Sequence, residues 1–325
     1  MKLLRSLLAV SAAGLAFAAP ASTFAQEWPT RPVTLVVPFP PGGGTDIVAR
    51  LIANRLSPKL GQPVVIDNRP GAATAIGAAA VARAAPDGHT LLLSGSSTYS
   101  ILPALKPGLP YDPIDSFSHV AVVAKAPLVL VTGASTQITS VADLLQRARA
   151  DANGLMYATF GSGSGPHLAG AMLAEAAQAK MTAVPYKGSA PALTALISGE
   201  LPIGFDTVAA AAPQVKSGRL RALAVTGDQR AALLPDVPTY AEAKIPKASL
   251  VSWYAVAAPA RTPEPVLARL NRELAAVMAE PEVRKTLENA GLEPVMLGPE
   301  AFRRLIRDEV GAFKAVAQRA QISLD

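Results

Sequence analysis

Short apolar runs alternate along the chain with loops of glycine, serine, threonine and proline. The first run, Val33-Thr34-Leu35-Val36-Val37, is rich in β-branched and apolar side chains and predicts a buried strand. Pro38, Pro40 and Pro41 end it, because proline has no N–H to give a sheet ladder, and Gly42-Gly43-Gly44 follow as a loop. Ile47, Val48, Leu51, Ile52 and Leu56 then fall on one helical face, with Thr45 or Asp46 as the predicted cap. Strand, glycine loop and helix N-terminus together predict an anion site, since unpaired N–H groups and the helix dipole point outward there.

The same order recurs. Residues 63–66 read as a strand, 67–74 as a loop, and 75–85 as a small-residue helix with Thr74 as a candidate cap. A strand at 90–93 runs into the tract Ser94-Gly95-Ser96-Ser97-Thr98. In the second half, strand 155–160 precedes a Gly/Ser loop at 161–167 and a helix through 173. Strand 181–185 precedes Tyr186-Lys187-Gly188-Ser189 and a helix at 191–197. Strands at 203–206 and 220–226 follow. Residues 120–131 read as an extended stretch interrupted by Lys125 and Pro127, and 252–257 as another. Amphipathic helices at 264–280, 282–290 and 299–319 lack glycine loops and read as scaffold. The pattern predicts an α/β protein of two domains, residues 26–124 with 251–325 and residues 125–250, joined by crossovers near 120–131 and 251–258. In such sheets the loops beyond the strand carboxyl ends line a ligand crevice.

Composition adds a destination and removes several chemistries. Lys2 and Arg5, the apolar run 7–19 and Thr23-Phe24-Ala25 before Gln26 have the form of a signal peptide, residues 1–25. Its removal would leave 300 of 325 residues and lower the net charge from +6 to +4, since it carries two basic residues and no acid. The apolar run is too short for a membrane anchor, and no cysteine is available for a lipid tether, so an exported, soluble, periplasmic protein is expected. Basic residues are scattered rather than blocked, which argues against nucleic acid. With no cysteine and three separated histidines there is no metal-ligand spacing, and no cofactor is expected.

Neither GxGxxG nor GxxxxGK[ST] can be drawn through Gly42-Gly43-Gly44-Thr45-Asp46-Ile47, so the predicted anion is small, most simply a carboxylate. The tract Gly161-Ser162-Gly163-Ser164-Gly165 puts glycine where a nucleophile elbow needs serine, and nearby His167 does not make a triad, so catalysis is not expected. Asp206, at the end of a short strand, suits either a ligand amine or hydroxyl or a helix cap. Tyr186 suits a pocket wall; Lys187 is a cleft candidate too, although a lysine is more often a solvated surface charge.

Trp28-Pro29, Val36-Val37-Pro38-Phe39, Pro41-Gly42-Gly43, Thr45-Asp46 and Leu60-Gly61-Gln62-Pro63-Val64-Val65 resemble one family. So do Asn68-Arg69-Pro70-Gly71-Ala72, Pro86-Asp87-Gly88, Leu109-Pro110-Tyr111-Asp112-Pro113 and Val184-Pro185-Tyr186-Lys187-Gly188. Arg221-Ala222-Leu223-Ala224-Val225-Thr226, Leu234-Pro235-Asp236-Val237-Pro238-Thr239 and Ala257-Ala258-Pro259 complete a set that spans nearly the whole mature chain. It is similar to the periplasmic solute-binding proteins of tripartite tricarboxylate transporters, the Bug/TctC family. The resemblance implies a two-domain periplasmic-binding-protein (Venus flytrap, type II-like) fold. It also implies a small carboxylate held largely by backbone groups, and delivery to a permease with large and small integral subunits. A ligand sensor feeding a signalling receptor is the alternative use of the same clamshell. Ala73-Thr74 stands where the family usually has Gly-Gly, and His89 where Tyr is common.

The candidate ligand-binding residues are Phe39, Gly43, Gly44, Thr45 and Asp46 in the first loop, Ala73 and Thr74 in the second, and Ser96 in the third. Across the expected cleft they are Ser162, Gly163, Ser164, His167, Tyr186, Lys187, Gly188 and Asp206. A monomer that closes its domains on the ligand is expected.

Overall fold

The computed structural model describes residues 28–161 and 164–322; the expected signal segment and the candidates Ser162 and Gly163 lie outside the described residues. In chain order the first elements are β1 (Val33–Val37), α1 (Gly44–Leu60), β2 (Val64–Asn68), α2 (Ala75–Ala82), β3 (Thr90–Gly95) and α3 (Leu102–Leu105). The long β4 (Phe117–Gly133) leads to α4 (Val141–Ala150), β5 (Leu155–Thr159), α5 (Gly165–Ala177), β6 (Met181–Pro185) and α6 (Ser189–Ser198). Then come β7 (Ile203–Thr207), α7 (Val208–Lys216), β8 (Leu220–Val225) and β9 (Val251–Pro259). The chain closes with α8 (Glu264–Met278), α9 (Pro281–Asn289), β10 (Glu293–Leu297) and α10 (Pro299–Arg319).

The strands of the described residues run in the order β2-β1-β3-β9-β4-β7-β5-β6, with β10 and β8 also paired to β4. β4 belongs to both halves. Its first part lies between β9 and β10, and its second part, from Leu128 on, between β7 and β8. Pro127 sits inside this strand rather than interrupting it. It lies opposite Val251, the first residue of β9, and the next residue, Leu128, lies opposite Thr207, the last of β7, so the missing N–H falls at the change of neighbours.

Each half carries helices on both faces. Leu35 packs with Val48, Ile52 and Leu270 on one side of β1, while its neighbour Val36 packs with Ala78, Trp253 and Phe302 on the other. In β4, Leu128 and Leu130 join one second-half core with Leu168 and Phe205, and Val129 and Val131 the opposite one with Leu196 and Val208. This is the period-2 alternation of strands buried on both sides. The last helix departs from the expected division. Phe302 and Ile306 of α10 pack in the first half, but Phe313, Val316 and Ala317 pack with Leu168 and Phe205 in the second, and Arg319 pairs with Glu175 at 2.9 Å. β10 was also not expected; its residues Glu293-Pro294-Val295-Met296-Leu297 are half-buried throughout and lack a clean alternation.

Candidate functional site

A cavity of about 360 Å³ opens beyond the carboxyl ends of β1, β2 and β3. Its walls are Pro38, Phe39 and Pro40 after β1, Pro70, Gly71, Ala73 and Thr74 after β2, and Ser97, Ile101 and Leu102 after β3. Phe160 and Ser164, after β5, close it from the other half. Larger hollows lie elsewhere. One of about 590 Å³ runs beside β6 and the end of α10, and one of about 580 Å³ lies among α8, the start of β4 and the start of α10. The smaller cavity is the candidate site because strand-end loops of both halves meet there.

The 71–74 turn is its most unusual wall. Gly71 (φ 135°) is followed by Ala72 (φ 45°), Ala73 (φ 52°) and Thr74 (φ 90°), so three residues with side chains hold left-handed backbone in succession. That conformation costs an L-residue about 1–2 kcal/mol each. It is kept by its surroundings: Thr98 Oγ1 donates to Thr74 Oγ1 at 2.8 Å, Ser94 Oγ lies 2.5 Å from Thr98 Oγ1, and Tyr111 Oη donates to the Thr98 carbonyl at 2.8 Å. Thr74 is the N-cap residue of α2, as expected, but its hydroxyl is in this chain and makes no cap bond. The amides of Gly71, Ala72 and Ala73 have no acceptor among the described residues, and neither does the Ser97 hydroxyl. Successive unpaired amides of this kind form an anion-binding concavity.

The first loop lines the cavity through Pro38, Phe39 and Pro40, while its Gly42–Asp46 part braces that segment. Helix α1 is capped by Gly43, without a side-chain bond, so neither Thr45 nor Asp46 is the cap. Asp46 accepts from Gly42 N (2.9 Å), Arg50 Nε (2.8 Å) and Asn68 Nδ2 (3.1 Å). The Arg50 guanidinium, helped by the Gly42 and Asn68 groups, holds its carboxyl down to about 2. Asn68 Nδ2 also donates to the Phe39 carbonyl at 3.1 Å, so Asp46 braces the segment that forms the cavity wall. Thr45 is buried and its side chain bonds the Tyr254 hydroxyl, which lies 2.8 Å from where a Cβ on Gly44 would stand. Gly43, Gly44, Thr45 and Asp46 are not among the residues that line this cavity.

Of the remaining described candidates, Ala73, Thr74 and Ser164 line the cavity and the others do not. Ser96 is buried at the start of a π-turn, Ser97–Ile101, and it is Ser97 that faces the cavity. Ser164 caps α5, donating to the Gly161 carbonyl at 2.8 Å and accepting from His167 N at 3.4 Å. The side chain of His167 lines the hollow beside β6, and burial lowers its pKa. Tyr186 Oη donates to Glu200 at 2.7 Å, and that bond raises its pKa. Lys187 is exposed, and Gly188 (φ 103°) caps α6. Asp206 is buried, accepting from Ser189 Oγ and Thr207 N, both at 2.7 Å; burial pushes its carboxyl up to about 6. Thr207, not Asp206, caps α7.

Sequence reasoning missed Pro38, Pro40, Pro70, Gly71, Ser97, Ile101, Leu102 and Phe160. Phe160 had a signal, an aromatic at a strand end directly before a Gly/Ser loop. Ile101 and Leu102 had none, because a π-turn that runs straight into α3 carries no capping residue. Among the described residues no group of acidic or histidine side chains is placed to hold a metal.

Two α/β halves sharing a long central strand, with a cavity between their strand-end loops, make this a periplasmic-binding-protein fold. Residues 48–322 match the model of the tripartite tricarboxylate transporter family receptor, TctC, and the chain belongs to that family of periplasmic solute-binding receptors. It is 35% identical over 325 residues to protein BugT of Bordetella pertussis, covering 100% of this chain and 99% of that one. Among solved structures it is similar to R. palustris Rpa4515 with adipate (38% identical, TM-score 0.80, covering 91% and 99% of the two chains). It is also similar to MatC of Rhodopseudomonas palustris with bound malate (33%, TM-score 0.75, 89% and 99%).

Proposed function

We propose that this protein captures a small carboxylate between its two lobes and delivers it to a membrane permease with large and small integral subunits. The observation that carries the reading is the left-handed 71–74 turn, whose residues Gly71 and Ala73 line the cavity beside Ser97, with Phe160 and Ser164 of the other half on the same cavity. Convergent N–H and O–H donors compensate a carboxylate for lost hydration. The adipate and malate of the two solved relatives support the ligand class. The lobes we propose are residues 26–124 with 251–325 and residues 125–250, the second half of α10 being shared with the latter. Closure moves Phe160 and Ser164 against the 71–74 turn, and the closed monomer is what the permease recognises. Residues 1–25 serve as the cleaved export signal.

The test is a thermal-shift and calorimetric screen of the purified protein against mono-, di- and tricarboxylates, with small-angle scattering of each complex. A ligand at 100-fold its Kd adds about 2.7 kcal/mol to stability, and closure reduces the radius of gyration. Silence across the panel with ligand-free protein would refute the reading.

A further inference from the structure

The turn after β3 is held from outside the cavity by a carboxyl that plays no part in the reading above. We infer that Glu309 is a positioning residue for ligand binding: it fixes the π-turn Ser97–Ile101 and, through that turn, two walls of the cavity. The inference rests on the carboxylate reading. Ser97 and Ile101, the two ends of the turn, line the cavity. Between them Thr98 Oγ1 donates to Thr74 Oγ1 at 2.8 Å, so the left-handed 71–74 turn leans on the same segment. A shift of the π-turn therefore moves both walls together.

Glu309 is half-buried on α10, between Phe302 and Ile306, which pack in the first half, and Phe313 and Val316, which pack in the second. Trp253 Nε1 donates to both of its carboxyl oxygens, at 2.9 and 3.0 Å. The Ser100 hydroxyl, buried and without another partner among the described residues, stands at the same carboxyl. Trp253 in turn stacks on Tyr99 of the π-turn, with ring centroids 5.8 Å apart and planes 17° from parallel. One carboxyl thus gathers an indole of β9 and a hydroxyl of the turn, and such convergence offsets its lost hydration. The anchor stands where the halves cross. Trp253 lies opposite Lys125 of β4, two residues before the change of neighbours at Pro127, and Tyr99 packs in the first half while Ile101 packs in the second. π-Turns recur at functional sites, and a wall held in place beforehand spares the ligand the cost of ordering it.

Calorimetric titration of the purified protein with adipate, malate, citrate and benzoate, repeated on Glu309→Leu, Glu309→Gln and Ser100→Ala, tests the link. Leu keeps the bulk and removes the acceptors, while Gln keeps an acceptor for Trp253 and offers Ser100 an amide. For the acid that the parent binds most tightly, Glu309→Leu is expected to weaken binding about fivefold and Ser100→Ala two- to threefold, the range of one or two lost hydrogen bonds. Glu309→Gln should stay within about twofold of the parent. Ser100→Ala added to Glu309→Leu should weaken binding no further, because both act through one link. Amide hydrogen exchange of the ligand-free protein should be faster at 97–101 in the Leu variant and unchanged in the Gln variant. A Leu variant that binds as the parent does, even with a lowered Tm, would overturn this inference and leave the carboxylate receptor standing. So would a Gln variant as weak as the Leu one. Binding of none of the acids by the parent would overturn both.

Discussion

Replacing Asp206 by Asn should make the protein more stable at pH 8 and have little effect in mild acid. Asp206 is 1% exposed, and its oxygens accept from Ser189 Oγ and from the Thr207 amide. These two bonds do not offset burial, which raises the carboxyl from 3.8 to about 6. A raised folded-state pKa means that the folded protein holds this proton more tightly than the unfolded chain. The stabilisation is complete below pH 3.8 and is lost as pH rises through 6. The full loss is about 3 kcal/mol, of which about 2 kcal/mol falls between pH 4.5 and 8. Asn keeps the acceptor for Thr207 N and never ionises, and Ser189 can turn its hydroxyl to accept from the new amide. Urea unfolding of parent and Asp206→Asn at pH 4.5, 6 and 8 should show their difference shifting by about 2 kcal/mol in favour of the variant as pH rises. A difference independent of pH, or one that favours the parent at pH 8, would refute the reasoning.

Glu309 accepts from Trp253 Nε1 and is raised by burial from 4.5 to about 7, so Glu309→Gln should flatten the decline in stability that runs from pH 4.5 up through 7, read from the same urea curves. Ala73→Gly removes a left-handed alanine and should raise Tm by about 2 °C in a calorimetric scan, since the relieved strain slightly exceeds the entropy that glycine adds to the unfolded chain. Gly311 lies mid-helix in α10 between the residues packed in the two halves, and a Cβ there meets nothing within 4 Å; Gly311→Ala should add about 1 kcal/mol in urea unfolding.

The strands and most helices were legible because period-2 and 3.6 patterns are local. Val33–Val37 and the face Val48-Ile52-Leu56 needed no tertiary information. Pro127 misled because its tolerance depends on which strand lies beside it, a long-range fact. For the candidate cavity, the loops were legible in the sequence more than the individual lining residues. The Pro38–Pro40 and 71–74 segments do meet the loop after β5. Yet the eye-catching Gly42–Asp46 stretch serves the scaffold, because Asp46 finds Arg50 one helical turn away and Asn68 at the end of β2. The active feature of the second loop is a backbone conformation at Ala72, Ala73 and Thr74, and no propensity scale assigns left-handed geometry to those residue types.

The account stands most directly on where a carboxylate binds, and a crystal structure of the liganded protein measures that. The account predicts carboxylate oxygens within about 3 Å of the Gly71–Ala73 amides and the Ser97 hydroxyl, with the body of the ligand between Phe39 and Phe160. A carboxylate seated on the amides of Gly44–Asp46, or in the hollow beside β6, would contradict it.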